Sequence, residues 1–237
     1  MRPLLIVKTG QADTVVSARL GDFEDWIIDG LGAGAPPVEV WSVQNSGRLP
    51  SPGSLAAAVV TGSSAMVTSH EPWSERTAAW LREAATGGLP VLGICYGHQL
   101  LAHALGGSVA PNPRGREVGT VPLALSSDAS TDPLLGGVVS PAPVQTTHLE
   151  SVVELPPGVA ALASSALDPN HAFRVGSAWG VQFHPEFSPE VMRGYIEARR
   201  DELAAEGLDV ERLLAEVTPS PLGTQVLRRF AALAGDG

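Results

Sequence analysis

Apolar residues occur in two alternating arrangements along this chain: unbroken short runs and sets spaced by three or four. Leu4–Val7 is an unbroken run and predicts a first strand, buried on both faces. Leu20, Phe23, Trp26, Ile27 and Leu31 lie at near-helical spacing and predict a helix over Ser17–Leu31. Val38–Val43 alternates and reads as a second strand, and Leu55–Val60 as a third, ending in the small-residue turn Thr61-Gly62-Ser63-Ser64. Trp80, Leu81 and Ala84 face one side of a helix over Ser74–Thr86, with Ser74 placed to cap it. Val91–Ile94 is a further buried strand, and His98–Leu105 a helix stopped by Gly106-Gly107.

Strands separated by helices imply a mostly parallel sheet covered on both faces, with functional groups gathered at the carboxyl ends of the strands. Between Gly107 and Gly180 the pattern changes. Short runs at Val121–Leu125, Val152–Leu155, Ala160–Ala163 and Ala172–Val175 are split by Pro, Gly and Ser, which predicts an antiparallel segment. Trp179–Phe183 is a last strand, and Pro189–Leu233 reads as helical with a break at Pro219–Gly223. The expected architecture is α/β: a three-layer open sheet, mostly parallel, a small antiparallel segment and a helical C-terminal tail. The expected division is residues 1–188 as one domain and 189–237 as a helical extension packed on it.

Composition narrows the function. The 237 residues are 44% hydrophobic and 17% charged, with a formal net charge of −10. That is a globular composition without a basic stripe, which argues against a nucleic-acid partner. No apolar run approaches the roughly 20 residues that span a membrane, and the N-terminus lacks the core and cleavage site of a signal peptide. One cysteine excludes an internal disulfide and any zinc site built on cysteine pairs, so a cytoplasmic location is expected. Lys8 is the only lysine and lies outside a Walker A context, which excludes a P-loop. Gly30-Leu31-Gly32-Ala33-Gly34-Ala35 formally fits a dinucleotide fingerprint. It follows a helix and runs into Pro36-Pro37, so it reads as a loop. No cofactor and no metal are expected.

The chemistry concentrates at Gly93-Ile94-Cys95-Tyr96-Gly97, between a predicted strand and a predicted helix. This is a G-x-S-x-G nucleophile elbow with sulfur in place of oxygen. A sharp strand-to-helix turn crowds backbone two residues either side of its apex, and glycine leaves room there. The turn sets Cys95 at a helix N-terminus, where the dipole favours thiolate. Most single cysteines are small buried hydrophobes; the flanking glycines reverse that reading. A thiol nucleophile needs a base and the base an orienter. Two pairs offer both: His148 with Glu150, and His184 with Glu186. Residues two apart on an extended segment share a face, so composition alone does not choose between them. His98 and His103 are five apart, which is not metal-ligand spacing on a helix, and His70 and His171 fall in polar loop-like stretches. If His184 and Glu186 serve, the chain order Cys, His, Glu departs from that of α/β-hydrolases.

Gly93-Ile94-Cys95-Tyr96-Gly97-His98-Gln99 together with Gly180-Val181-Gln182-Phe183-His184-Pro185-Glu186 resembles the class I, or triad, glutamine amidotransferase family. The resemblance extends over about Leu4–Phe187 and implies a flavodoxin-like fold. It implies Cys95, His184 and Glu186 as the catalytic triad, acting on the side-chain amide of glutamine through a γ-glutamyl thioester. It places the oxyanion hole at the backbone N–H groups of Ser63 and Tyr96, and substrate contacts at Gly62, Gln99, Thr147, His148 and Glu150. Thr147-His148-Leu149-Glu150 stands where relatives of guanylate synthetase carry Ser-His-Gly-Asp, and Ser63-Ser64 where the family has Gly-Pro. Gly115-Arg116-Glu117-Val118-Gly119 resembles an Arg-Glu-x-Gly segment with a structural role.

No pyrophosphatase loop accompanies these motifs, so the chain looks like a stand-alone relative of the guanylate synthetase amidotransferase domain. Three readings follow: a glutaminase acting alone or with an unidentified synthetase partner, a γ-glutamyl peptidase using the same triad, and a non-catalytic regulatory binding protein.

Overall fold

A computed structural model describes residues 2–45 and 47–235; the expected outer limits of the two domains, Met1 and Gly237, lie outside the described residues. A nine-stranded sheet runs through the molecule. Its parallel half comprises β1 (Leu4–Lys8), β2 (Val38–Ser42), β3 (Ala57–Val60) and β4 (Val91–Ile94), together with a late strand. The antiparallel half draws on β6 (Glu117–Leu125), β7 (Ala142–His148), β9 (Ala161–Ser164) and β10 (Ala172–Val175), and β11 (Ala178–Val181) is the late strand that joins the halves. The order is β2-β1-β3-β4-β11-β10-β9-β6-β7. β5 (Ser108–Pro111) and β8 (Glu150–Glu154) form a separate antiparallel pair.

Leu4 and Ile6 of β1 enter one core cluster with Ile27, Leu92, Ile94 and Phe230, while Leu5 and Val7 enter the opposite one with Leu81, Leu100 and Phe173. That two-sided burial is the physical cause of the unbroken apolar run. The antiparallel segment is larger than expected, since it extends the main sheet by four strands. β7 was not foreseen: Ala142-Pro143-Val144-Gln145-Thr146-Thr147-His148 is mostly polar or proline, yet six of its seven residues are buried. β5 also went unforeseen.

Two helical expectations are corrected. The helix expected over Ser17–Leu31 is two helices, α1 (Thr14–Leu20) and α2 (Phe23–Leu31). Gly21, at φ +87°, breaks the run, and Asp22 caps α2 through a capping box with Asp25. Ser74 is not a cap: α3 (Pro72–Thr86) starts two residues earlier, with Pro72 in its first turn. Ser74 is buried and its hydroxyl lies 2.6 Å from the Tyr96 hydroxyl on α4 (Tyr96–Ala104). The Gly30–Ala35 stretch closes α2 ahead of β2, at the edge of the sheet opposite Cys95.

The tail forms four helices, α5 (Pro189–Ala198), α6 (Arg200–Ala205), α7 (Val210–Glu216) and α8 (Pro221–Gly235). Leu222, Val226, Leu227 and Phe230 of α8 pack into the same core as Leu4 and Ile27. Met192, Tyr195 and Ile196 of α5 pack with Val16, Phe23 and Phe187 beside the functional edge. Among the described residues no helix is long and apolar enough to cross a membrane.

Candidate active site

β3, β4 and β11 lie side by side, so the segments leaving their carboxyl ends converge. Cys95 follows β4 directly with φ +51° and ψ −102°, a strained conformation for a residue with a side chain. Its N–H donates to the Val181 carbonyl at 2.9 Å, which ties the elbow to β11. The glycines answer to close approach on both sides. A Cβ on Gly93 would lie 2.4 Å from the Gly97 carbonyl oxygen, and one on Gly97 would lie 2.5 Å from that of Val60. Gly97→Ala is therefore expected to lower stability by about 1–3 kcal/mol or more, read as a fall in the thermal midpoint, because the clash is with backbone. An unchanged midpoint would contradict the packing described.

β11 delivers His184 and Glu186 to the same edge. His184 Nδ1 lies 2.7 Å from Glu186 Oε1, both side chains are buried, and His184 borders the same cleft as Cys95. Burial disfavours charge on the imidazole, but Glu186 and the Cys95 sulfur outweigh it and push its pKa up to about 10. Phe187 stacks on the ring at 4.0 Å between centroids, and Phe23 flanks it at 6.0 Å. Gly62 lets the imidazole in: a Cβ there would lie 3.0 Å from His184 Cε1.

The other pair, His148 and Glu150, is engaged elsewhere. His148 Nδ1 is 2.9 Å from the Glu150 carbonyl oxygen, and Nε2 is 3.2 Å from Glu117 Oε2. Glu117 also meets His171 Nε2 at 2.9 Å and accepts from Ser165, and these contacts hold its carboxyl far below the usual range despite burial. The Glu150 carboxylate accepts from the Val67 N–H at 2.9 Å and from the Thr68 hydroxyl. The Thr147 carbonyl oxygen sits 3.8 Å from Cys95 Sγ. Gln99 donates to the Glu150 carbonyl at 2.7 Å and to Gln182 at 3.0 Å.

Ser63 turns its hydroxyl away from the cleft, to the Thr9 carbonyl and the Ala65 N–H, each at 3.1 Å. Gly10 makes that possible, since a Cβ there would lie 2.5 Å from Ser63 Oγ. The Tyr96 phenol is likewise drawn off, toward Ser74 and a stack with Trp73. At both positions the side-chain hydroxyl is thus engaged within the protein. His98, beside them in sequence, is fully buried against Phe173, and burial holds its pKa down at about 3. A Cβ on Gly180 would lie 2.6 Å from His98 Nδ1. The two motifs are thus docked on one another.

Cys95, Tyr96, Ser63, Gln99, Thr147, His148, Glu150 and His184 all border one cleft of about 680 Å³. Glu186 stands behind His184, and Gly62 behind Ser63. Sequence reasoning missed the wall supplied by the tail: Tyr195, Arg199 and Glu202. Their signal was weak, because a helical pattern does not say which of its polar residues meets a cleft. Among the described residues two groups have metal-ligating side chains in proximity, His70 with Glu75 and His103 near the surface, and Glu117 with His148 and His171 in the interior. Each is bridged by the hydrogen bonds of its own carboxylate.

Comparison with known proteins places these features in context. Residues 54–200 match the family model described as glutamine amidotransferase class-I. A glutamine-hydrolysing GMP synthase of Thermomicrobium roseum is 41% identical over 128 residues, 54% of this chain and 23% of that protein. One from Porphyromonas gingivalis is 35% identical over 152 residues, 63% of this chain and 28% of that protein. The chain therefore aligns with less than a third of the length of either relative. A solved glutamine amidotransferase from Methylobacillus flagellatus superposes with a TM-score of 0.76 at 21% identity, covering 100% of this chain and 93% of that one. Another, from Thermotoga maritima, gives 0.75 at 21% identity, covering 98% of this chain and 97% of that one. At such identities the likeness is one of fold.

Proposed function

Because the chain belongs to the class-I glutamine amidotransferase family, we propose that it hydrolyses the side-chain amide of glutamine through Cys95, His184 and Glu186. The observation that carries the reading is the buried His184–Glu186 pair beside the Cys95 sulfur of a strained elbow, where carboxylate and sulfur together favour charge on the ring. In this mechanism Cys95 Sγ attacks the amide carbon. The N–H groups of Ser63 and Tyr96 hold the oxyanion, an interaction of the kind worth about 10²–10³ in rate. The carbon–nitrogen bond breaks as the His184 imidazolium gives its proton to the departing nitrogen, which leaves as ammonia. Water, deprotonated by His184, then attacks the γ-glutamyl thioester; glutamate departs and the thiol is restored. Glu186 holds the ring and its charge throughout.

Gln99, Thr147, His148 and Glu150 shape the floor against which the amino-acid end of the substrate rests. Residues 1–188 serve as the catalytic domain and 189–237 as an extension that completes its cleft. The GMP synthase relatives support a further element: ammonia delivered to a synthetase. The test is direct. The purified protein is incubated with glutamine, and glutamate and ammonia are measured. Equimolar release at about 1 s⁻¹ or faster is expected, with none from Cys95→Ser. Absence of glutamate from the unaltered protein would refute the reading.

A further inference from the structure

The cleft is large for one amino acid. Its volume of about 680 Å³ falls within the roughly 300–1,000 Å³ of pockets that hold drug-sized ligands. Beyond the sulfur, its wall is built by the junction of α5 and α6, where Arg199 interrupts the helix with φ −110° and ψ 16°. The break directs its guanidinium into the cleft. There it lies 5.4 Å from the Tyr195 ring centroid, and its Nη1 donates a long bond of 3.4 Å to Thr147 Oγ1. Thr147 is the residue whose carbonyl oxygen faces Cys95 Sγ.

Among the described residues Arg199 has no ion-pair partner, although three carboxylates border the same cleft. Each of them is taken. Asp13 caps α1 by accepting from the Val15 N–H at 2.9 Å. Glu150 is held by Val67 and Thr68. Glu202 is bound by Arg116, whose guanidinium is buried and also pairs with Glu206 at 2.8 Å. Arg116 thus engages both of these carboxylates, and Arg199 acts on Glu206 only at a distance, without an ion pair. A half-buried guanidinium, held over an aromatic ring and lacking a carboxylate, is a preorganised receptor for one.

We propose that Arg199 forms a carboxylate-binding subsite that reads a carboxylate of the substrate, a proposal that rests on the γ-glutamyl reading of the cleft. Two sources supply that chemistry: the α-carboxylate of the γ-glutamyl group itself, or a carboxylate on the amine that leaves. In the second case the protein accepts γ-glutamyl amino acids, and the spare volume of the cleft holds the leaving group.

Binding to the Cys95→Ser protein tests this without turnover. Calorimetry compares two ligand pairs: glutamine with its α-carboxamide, and γ-glutamylglycine with γ-glutamylglycinamide. With Arg199 intact, the acid is expected to bind about tenfold or more tightly than the amide in at least one pair, the value of a charge-assisted contact. Arg199→Gln should erase that preference while the amide's affinity stays within about twofold, and Arg199→Lys should keep part of it as a point charge. Loss in the first pair assigns the α-carboxylate, and loss in the second the leaving group. Preference retained in both pairs, absent from both, or lost only because acid and amide weaken equally would overturn the proposal. Failure of the triad shows separately, as absence of hydrolysis by the unaltered protein.

Discussion

His184→Ala is expected to reduce glutamine turnover by about 10⁴-fold or more, whereas His148→Ala retains most of kcat and raises KM. Residues that act as a catalytic unit lose nearly all of its benefit when one is removed. His184 borders the cleft with Cys95, and its Nδ1 is held by Glu186 at 2.7 Å. His148 has both nitrogens committed, to the Glu150 carbonyl and to Glu117. Its loss frees the turn carrying Thr147 and Glu150, which border the cleft, so the substrate is held less well. Steady-state kinetics on both variants decide the matter. A dead His148→Ala beside an active His184→Ala would assign the chemistry to the wrong pair.

Glu186→Gln is the second large effect, a fall in kcat of about 10²–10⁴ with a smaller change in KM. The volume is kept and the amide oxygen can still accept from Nδ1. What is lost is the negative charge that helps push the His184 pKa up to about 10. The sign follows from that shift. A carboxylate favours the protonated ring; without it the ring releases its proton at lower pH. The imidazolium that protonates the departing nitrogen is then depleted sooner, and the alkaline limb of the kcat/KM profile moves to lower pH. A profile with its alkaline limb unmoved would show that Glu186 does not govern the charge of His184. A KM effect larger than the kcat effect would make it a binding residue instead.

Much of this was legible because local rules and tertiary structure agreed. The runs at Leu4–Val7 and Val91–Ile94 are apolar because both faces of the parallel half are covered, and the Gly93/Gly97 pair is legible because backbone crowding admits no other residue. The failures occur where tertiary context overrides local pattern. Gly21 breaks an otherwise continuous helical spacing by adopting positive φ. Ser74 has a cap's identity but is buried against Tyr96. β7 carries Gln145, Thr146 and Thr147 into the interior, where alternation of hydrophobicity is lost because both faces are enclosed. The pairing of His148 with Glu117 was out of reach, since residues 31 apart meet only through the β6–β7 register that sets Glu117 opposite His148. Arg199 was invisible for the same kind of reason: its importance lies in the prior engagement of the carboxylates around it.

The central claim is that Cys95, the only cysteine in the chain, is a nucleophile directed at γ-glutamyl groups. A diazo-ketone analogue of glutamine, followed by intact mass measurement and peptide mapping, tests it most directly. The account predicts one adduct per chain, located on Cys95, slowed by added glutamine and absent from Cys95→Ser. An unchanged mass, or an adduct that also forms on the Cys95→Ser protein, would contradict it.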